Sequence, residues 1–285
     1  MPETLDVHLT KELAGLDALE VGGATRASLT RRAWSVAWPK LAAIAIALGV
    51  WQLVVWSGWK PEYVLPGPAR VWQELLDQHS QLLDGARQTT ERIVRGYAVS
   101  LVIGVVVGVF VASSKILRNA FGAFITGLQT MPSVVWVPMA IMLFKLSEEA
   151  ILFIVVLGAA PSIANGVIGG IDQIPPLTLR AGRALGARGL TYYRRIVLPA
   201  SMPGFVAGLK QGWAFAWRSL MAGELVVQIK GHQSLGTLLQ NGKDLPDPPL
   251  LYASMVVVLL IGLLADSLLF GRLERIVNRR FGLAR

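Results

Sequence analysis

The chain has 285 residues, of which 53% are hydrophobic and 16% charged, with no cysteine and a formal net charge of +9. A soluble protein carries more charge and interrupts its apolar runs sooner, so this composition, with a mean hydropathy of +0.53, belongs in a membrane. The lack of cysteine excludes a disulfide framework and a thiolate metal site, while the basic excess leaves nucleic acid open until the charges are placed.

Residues 1–38 are polar, mixed in charge and hold no apolar run. They are expected to form a cytoplasmic tail with a helix around Thr10–Leu19. Thr30-Arg31-Arg32 before an apolar stretch has the look of a twin-arginine export signal. That stretch is long, ends in tryptophans and has no clean small-x-small cleavage site, so it is read as a retained first span. Crossing the hydrocarbon core takes about 20 mostly apolar residues. Leu41–Trp59 meets that need, with Trp51, Trp56 and Trp59 at its outer end as an interfacial belt.

Lys60–Leu76 follows on the outside, where Pro66, Gly67 and Pro68 force a turn before a short amphipathic helix. The second span is Tyr97–Ala112, with its helix starting near Thr90. The third, Phe121–Phe144, contains Pro132 and Pro138 and should break or bend, which membrane depth tolerates only beside protein or a water-filled cavity. Ala150–Ile171, Gly204–Val227 and Leu250–Phe270 complete six spans in an all-α membrane protein. These spans make one domain over 39–272, with a basic tail at 273–285.

With the amino terminus inside, the inner segments hold most arginines, including Arg180, Arg183, Arg188, Arg194 and Arg195, and Arg272 to Arg285. Basic residues near span ends favour the cytoplasmic face, so both termini are expected inside. The Arg87–Arg95 group is the exception. The positive charge is therefore a topology signal, and no nucleic-acid partner is expected.

The loop 172–200 carries the most specific pattern. Pro175 and Pro176 start a short helix, Ala181 and Gly182 allow close approach, Gly186 can end it, Thr191 can cap a second turn, and Pro199 can stop that turn before the fifth span. Arg180, Ala181, Gly182, Arg183, Gly186, Ile196, Leu198 and Pro199 resemble the coupling loop of permease subunits of binding-protein-dependent ABC importers. That family's pattern runs Glu-Ala-Ala, three residues, Gly, nine residues, Ile-x-Leu-Pro. Arg180 departs from it where the family has Glu. The Pro-rich entry at 60–76 and Gln129–Pro138 resemble the nitrate, taurine and aliphatic-sulfonate group, the last most closely.

The resemblance implies a type I importer permease fold in the bacterial inner membrane, a homodimer, two ATPase subunits inside and a substrate-binding protein outside. ATP and magnesium would bind the ATPase, and this chain would hold no cofactor, no metal and no catalytic residue. Its nearest P-loop lookalike, Gly236 to Asp244, is one residue too long and has Asp244 where a hydroxyl is needed. Ionisable groups inside spans are functional candidates, so Arg218 and Glu224, with Gln129, are the expected pathway residues. Lys210 and Asp266 are read as snorkelling. Gly104-x-x-x-Gly108 and Gly208-x-x-x-Gly212 are read as packing motifs with a modest implication of subunit contact. A membrane enzyme would need a polar catalytic cluster, and an ion-coupled carrier or channel several intramembrane carboxylates or an inverted repeat. None of these is evident.

Overall fold

The computed structural model describes residues 29–229 and 231–281, and the expected helix around Thr10–Leu19 lies outside them. The chain divides into two compact units after Glu62. The first contains α1, Leu29–Trp56, which holds most of the first predicted span.

The second unit begins with α2, Pro68–Asp77, where Gly67 is the N-cap and Pro68 takes the first helical position, at which a missing N–H costs little. Next comes α3, His79–Ala112, a 34-residue helix that starts well before Thr90. The broken third span follows as α4, Lys115–Thr130, and α5, Val137–Phe144, joined by a 3-10 turn at Ser133–Trp136. Pro132 and Pro138 cannot donate to the helix ladder, and the two halves bend by 96°.

The central helix is α6, Glu148–Asp172. Beyond it lie α7, Pro176–Ala184, and α8, Gly189–Tyr192, then a π-helical stretch Tyr193–Val197 and α9, Leu198–Val226. Pro199 does not stop the chain here. It follows the π-helical stretch as the second residue of α9, where a missing N–H costs little, and the helix runs on. The unit closes with α10, Leu235–Asp244, α11, Pro248–Leu264, a second π stretch Ala265–Phe270, and α12, Gly271–Arg280. Residues 273–280 thus continue as helix beyond the sixth predicted span.

Four of these helical runs are long and apolar enough to cross a membrane: Ala37–Trp56, His79–Ala112, Glu148–Asp172 and Pro248–Arg280. The α4–α5 pair makes a fifth if counted as one bent span. The fifth predicted span lies in α9, whose 29 residues are long enough but carry Lys210, Arg218 and Glu224.

The core sits where α3, α6 and α9 meet, around Ile93, Ile151, Ile154, Val155, Trp213 and Leu220. Lipid tails are as apolar as leucine, so close packing and hydrogen bonds must hold such helices together. Gly166 of α6 and Gly208 of α9 abut with no room for a Cβ on either, and Gly104 and Gly108 of α3 press on Ala160, Ile163, Ala164 and Val167. Gly212 packs on Ile163 in the same way, so both glycine pairs serve helix packing within the chain, as expected, rather than subunit contact. Tyr97 fastens the third side: its hydroxyl donates to the Leu209 carbonyl at 2.8 Å, and its ring meets Trp213 edge-on at 5.3 Å. Lys210 does not simply snorkel, because its ammonium lies 3.6 Å from Asp266 and 3.4 Å from Glu274.

Candidate functional site

Three groups of polar residues stand out against this apolar frame. The first is a buried ion-pair network at the end of the bundle where α3 and α6 begin and α9 ends. Arg92 gives Nη1 to Glu224 at 3.0 Å and Nη2 to Glu148 at 2.6 Å. The Thr89 hydroxyl donates to Glu224 Oε2 at 2.9 Å, and the Gly236 amide donates to the same oxygen at 3.1 Å. Thr89 Oγ1 in turn accepts from the Leu235 amide at 3.0 Å. Glu224 is wholly buried and Arg92 nearly so. Each carboxylate oxygen of Glu224 thus has donors, as a charge removed from water requires.

This network fastens α3, α6, α9 and α10 together, and it gives Glu224 a structural setting. Gly236, part of the P-loop lookalike, belongs to it, because a Cβ there would collide with Glu224. Beside the network opens a cleft of about 1100 Å³ lined by Arg87, Arg92, Arg95, Glu148, His232 and Asn241 among others. The Arg87–Arg95 group that disturbed the charge count is thus part of α3. Arg92 neutralises buried acid, and Arg87 pairs with Glu91 at 3.0 Å.

The second group lies between α4 and α6. Asn165 Nδ2 donates to Gln129 Oε1 at 2.5 Å and to Thr126 Oγ1 at 3.4 Å, and Gln129 Nε2 reaches Ser162 Oγ at 3.5 Å. Ser162 is buried, while Gln129 and Asn165 are half-buried. At 3.6 residues per turn, Ser162 and Asn165 lie roughly 150° round α6 from the residues that α3 covers. Arg218 on α9 shares that outlook. It follows Leu209, which α3 contacts through Tyr97, by nine residues, or about two and a half turns. Arg218 is exposed and rests over the Phe215 ring at 5.2 Å, with no acidic partner among the described residues. One face, turned away from α3, therefore carries Gln129, Asn165 and Arg218.

The third group is the loop at the opposite end. There Arg118 pairs with Asp172 and donates to the Ala112 carbonyl at 2.8 Å, tying α3, α4 and α6. Beyond that tie, α7 ends in a Schellman turn: the Ala187 amide bonds the Gly182 carbonyl at 3.1 Å and the Gly186 amide bonds Arg183 at 3.0 Å. Gly186 has φ +82°, which side chains resist, and Gly182 leaves room for Ile196, whose Cγ1 would lie 2.8 Å from an added Cβ. Arg183 stacks over Tyr192 at 5.3 Å. Thr191 caps nothing, since it falls inside α8 behind an Arg188 N-cap with no side-chain bond. Arg180, Ala181 and Leu198 are exposed and Pro199 half-buried. Leu177, Leu185 and Leu190 are each more than three-quarters exposed, in a loop with five arginines, a surface that water alone does not favour.

Apolar helices with one broken span, hydrogen-bonding groups along one face and an uncovered basic loop at one end define a membrane transport subunit. Residues 101–282 match the family described as binding-protein-dependent transport system inner membrane component, and the chain belongs to that family. A probable ABC transporter permease protein of Brucella melitensis is 26% identical over 231 residues, covering 80% of this chain and 92% of that one. The nitrate import permease protein of Leptolyngbya laminosa is 25% identical over 84% of this chain and 87% of its own length, and the taurine transport system permease protein of Escherichia coli is 22% identical over 79% and 84%. Among solved structures, an inward-facing methionine ABC transporter shares the fold, with a TM-score of 0.60 at 22% identity over 70% of this chain and 98% of that chain. The type I importer permease fold is thereby established.

Sequence reasoning named Arg92 only as a misplaced charge and missed Thr89 and Glu148, which lie just outside the apolar stretches Tyr97–Ala112 and Ala150–Ile171; it also missed Ser162 and Asn165. For the latter two a signal was present: a hydroxyl and a carboxamide three residues apart inside an otherwise apolar run.

Proposed function

We propose that the chain is the translocation subunit of an ATP-driven importer for a small organic anion, with aliphatic sulfonate as the first candidate. In this reading two copies line the pathway, two ATPase subunits bind ATP and magnesium on the cytoplasmic side, and a substrate-binding protein delivers solute from outside. The fold crosses the bacterial inner membrane six times, α9 included, with both termini in the cytoplasm. The α7 loop is then the coupling element. Closure of the ATPases on ATP pushes α7, and the rigid α7–Ile196 contact passes the movement into α9.

The observation that carries this reading is the uncovered surface of α7, where Leu177 and Leu185 stand exposed beside Arg180 and Arg183 on a helix whose geometry is fixed by Gly186. Relatives named for nitrate and for taurine keep those two solutes as alternatives. A carrier driven by protons without an ATPase is disfavoured, since Glu224, the buried acid inside a predicted span, already has Arg92, Thr89 and Gly236 as partners.

The test is co-expression with the candidate ATPase and binding protein, followed by purification in detergent. A stable complex whose ATP hydrolysis rises with loaded binding protein supports the reading. Titrating the binding protein with sulfonates, taurine and nitrate then selects the solute. ATP hydrolysis by the contaminant-free chain alone would remove it.

A further inference from the structure

The carboxamide pair between α4 and α6 has hydrogen-bonding capacity left over. A glutamine or asparagine side chain offers two N–H donors and one acceptor oxygen. Asn165 uses Nδ2 on Gln129 and Thr126, whereas Gln129 uses Nε2 once, on Ser162. Among the described residues the second Gln129 N–H and the Asn165 oxygen bond no protein group, and both side chains are only half-buried. Ser162 and Asn165 lie near the middle of a 25-residue apolar helix, at a depth where an unsatisfied polar group against lipid costs several kcal/mol. The open side of Asn165 must therefore meet water, solute or protein rather than acyl chains.

Arg218 fixes what kind of solute suits that side. Its neighbour Ser219 packs on Gly158 of α6, seven residues from Asn165 along the helix. Helix rise then sets Arg218 roughly 10 Å nearer the end that holds the Arg92 network, on the same face as the pair. An arginine draws in an anion, but a second arginine beyond it would hold the anion too firmly for passage. Conduction asks for sites that bind well enough to enter and weakly enough to leave. Uncharged carboxamides and a serine hydroxyl offer donors without a full charge.

We infer that Gln129 and Asn165, with Ser162 beneath them, form an uncharged station that receives a small monovalent oxyanion after Arg218. This inference rests on the proposed role of the chain as an importer's translocation subunit. The shared ligand chemistry is a singly charged group with three equivalent oxygens, as in a sulfonate or nitrate. The free Gln129 N–H donates to one oxygen, Asn165 adds a second donor by giving up its long 3.4 Å bond to Thr126, and the Gln129–Asn165 bond keeps the two side chains in register.

The experiment reconstitutes the full complex of this chain with its ATPase and binding protein in liposomes. It follows uptake of labelled methanesulfonate and labelled nitrate by the parent, Asn165→Ser and Asn165→Asp. Aspartate has the shape of asparagine but repels an anion, so maximal uptake should fall at least about tenfold below that of Asn165→Ser, with the half-saturating solute concentration unchanged. A structural role, in which Asn165→Asp loses the bonds to Gln129 and Thr126, lowers its stability but leaves uptake per assembled complex equal in the two variants, and that equality would overturn the inference. If Asn165→Asp yields no assembled complex, Gln129→Glu against Gln129→Ser is the same comparison from α4, and failure of both acidic variants to assemble would also overturn it. A parent complex that transports neither anion refutes the proposed function itself, which is a separate outcome.

Discussion

Arg92 and Glu224 show how a single pair can decide whether this bundle holds. Removing one partner of a buried ion pair leaves the other charge without compensation, at a cost of about 3–5 kcal/mol. Arg92→Ala should therefore lose its folded peak at a clearly lower temperature in detergent. Glu224→Gln, which keeps the shape and part of the hydrogen bonding, should fall less. Equal thermal stability of Arg92→Ala and the parent would refute the structural role. Arg218 should behave in the opposite way, since no acidic side chain of the described residues pairs with it. Arg218→Ala should assemble in normal yield and lose about tenfold or more of anion uptake, the worth of one charge-assisted hydrogen bond. Arg218→Lys should fall in between, because a point charge cannot replace the planar fork. Normal uptake by Arg218→Ala would take this residue out of the pathway. Both residues were visible in the sequence as charges near apolar runs, but their difference was not. It depends on Arg92 lying one helix away from Glu224, 132 positions earlier in the chain.

At the scale of elements, the apolar runs gave the helices, and proline gave the 96° break between α4 and α5. What the pattern missed has physical causes. The start of α3 is polar because its first turns lie beside the Arg92 network and the cleft, so hydropathy sees only the part from Tyr97 onward. Pro199 looked like a helix stop because proline breaks a helix interior, whereas here it falls in the first turn of α9. The loop from α7 to α9 was legible in more detail, since a positive-φ glycine and a small residue under a β-branched one leave marks in sequence. Gly186→Val would force a β-branched side chain into a left-handed conformation, costing roughly 1–2 kcal/mol. Insertion and abundance should stay normal while ATPase binding and solute uptake fall. If Gly186→Val binds its ATPase and transports like the parent, the α7 loop is not the coupling element.

At the scale of the whole molecule, the two ends of the helical unit do different work. One end is locked by a saturated ion-pair network beside an open polar cleft, and the other is tied by Arg118 and Asp172 beneath an uncovered basic loop. Between them a face of carboxamides and one arginine runs along α4, α6 and α9. A mechanical push at α7 and a solute track on that face fit a subunit that moves solute with energy supplied by another protein. The most direct measurement is uptake of labelled anion into liposomes holding this chain, its ATPase and its binding protein, with ATP enclosed or withheld. Accumulation above the external concentration is expected only when all three proteins and ATP are present. Equal accumulation by this chain alone, or without ATP, would contradict the account.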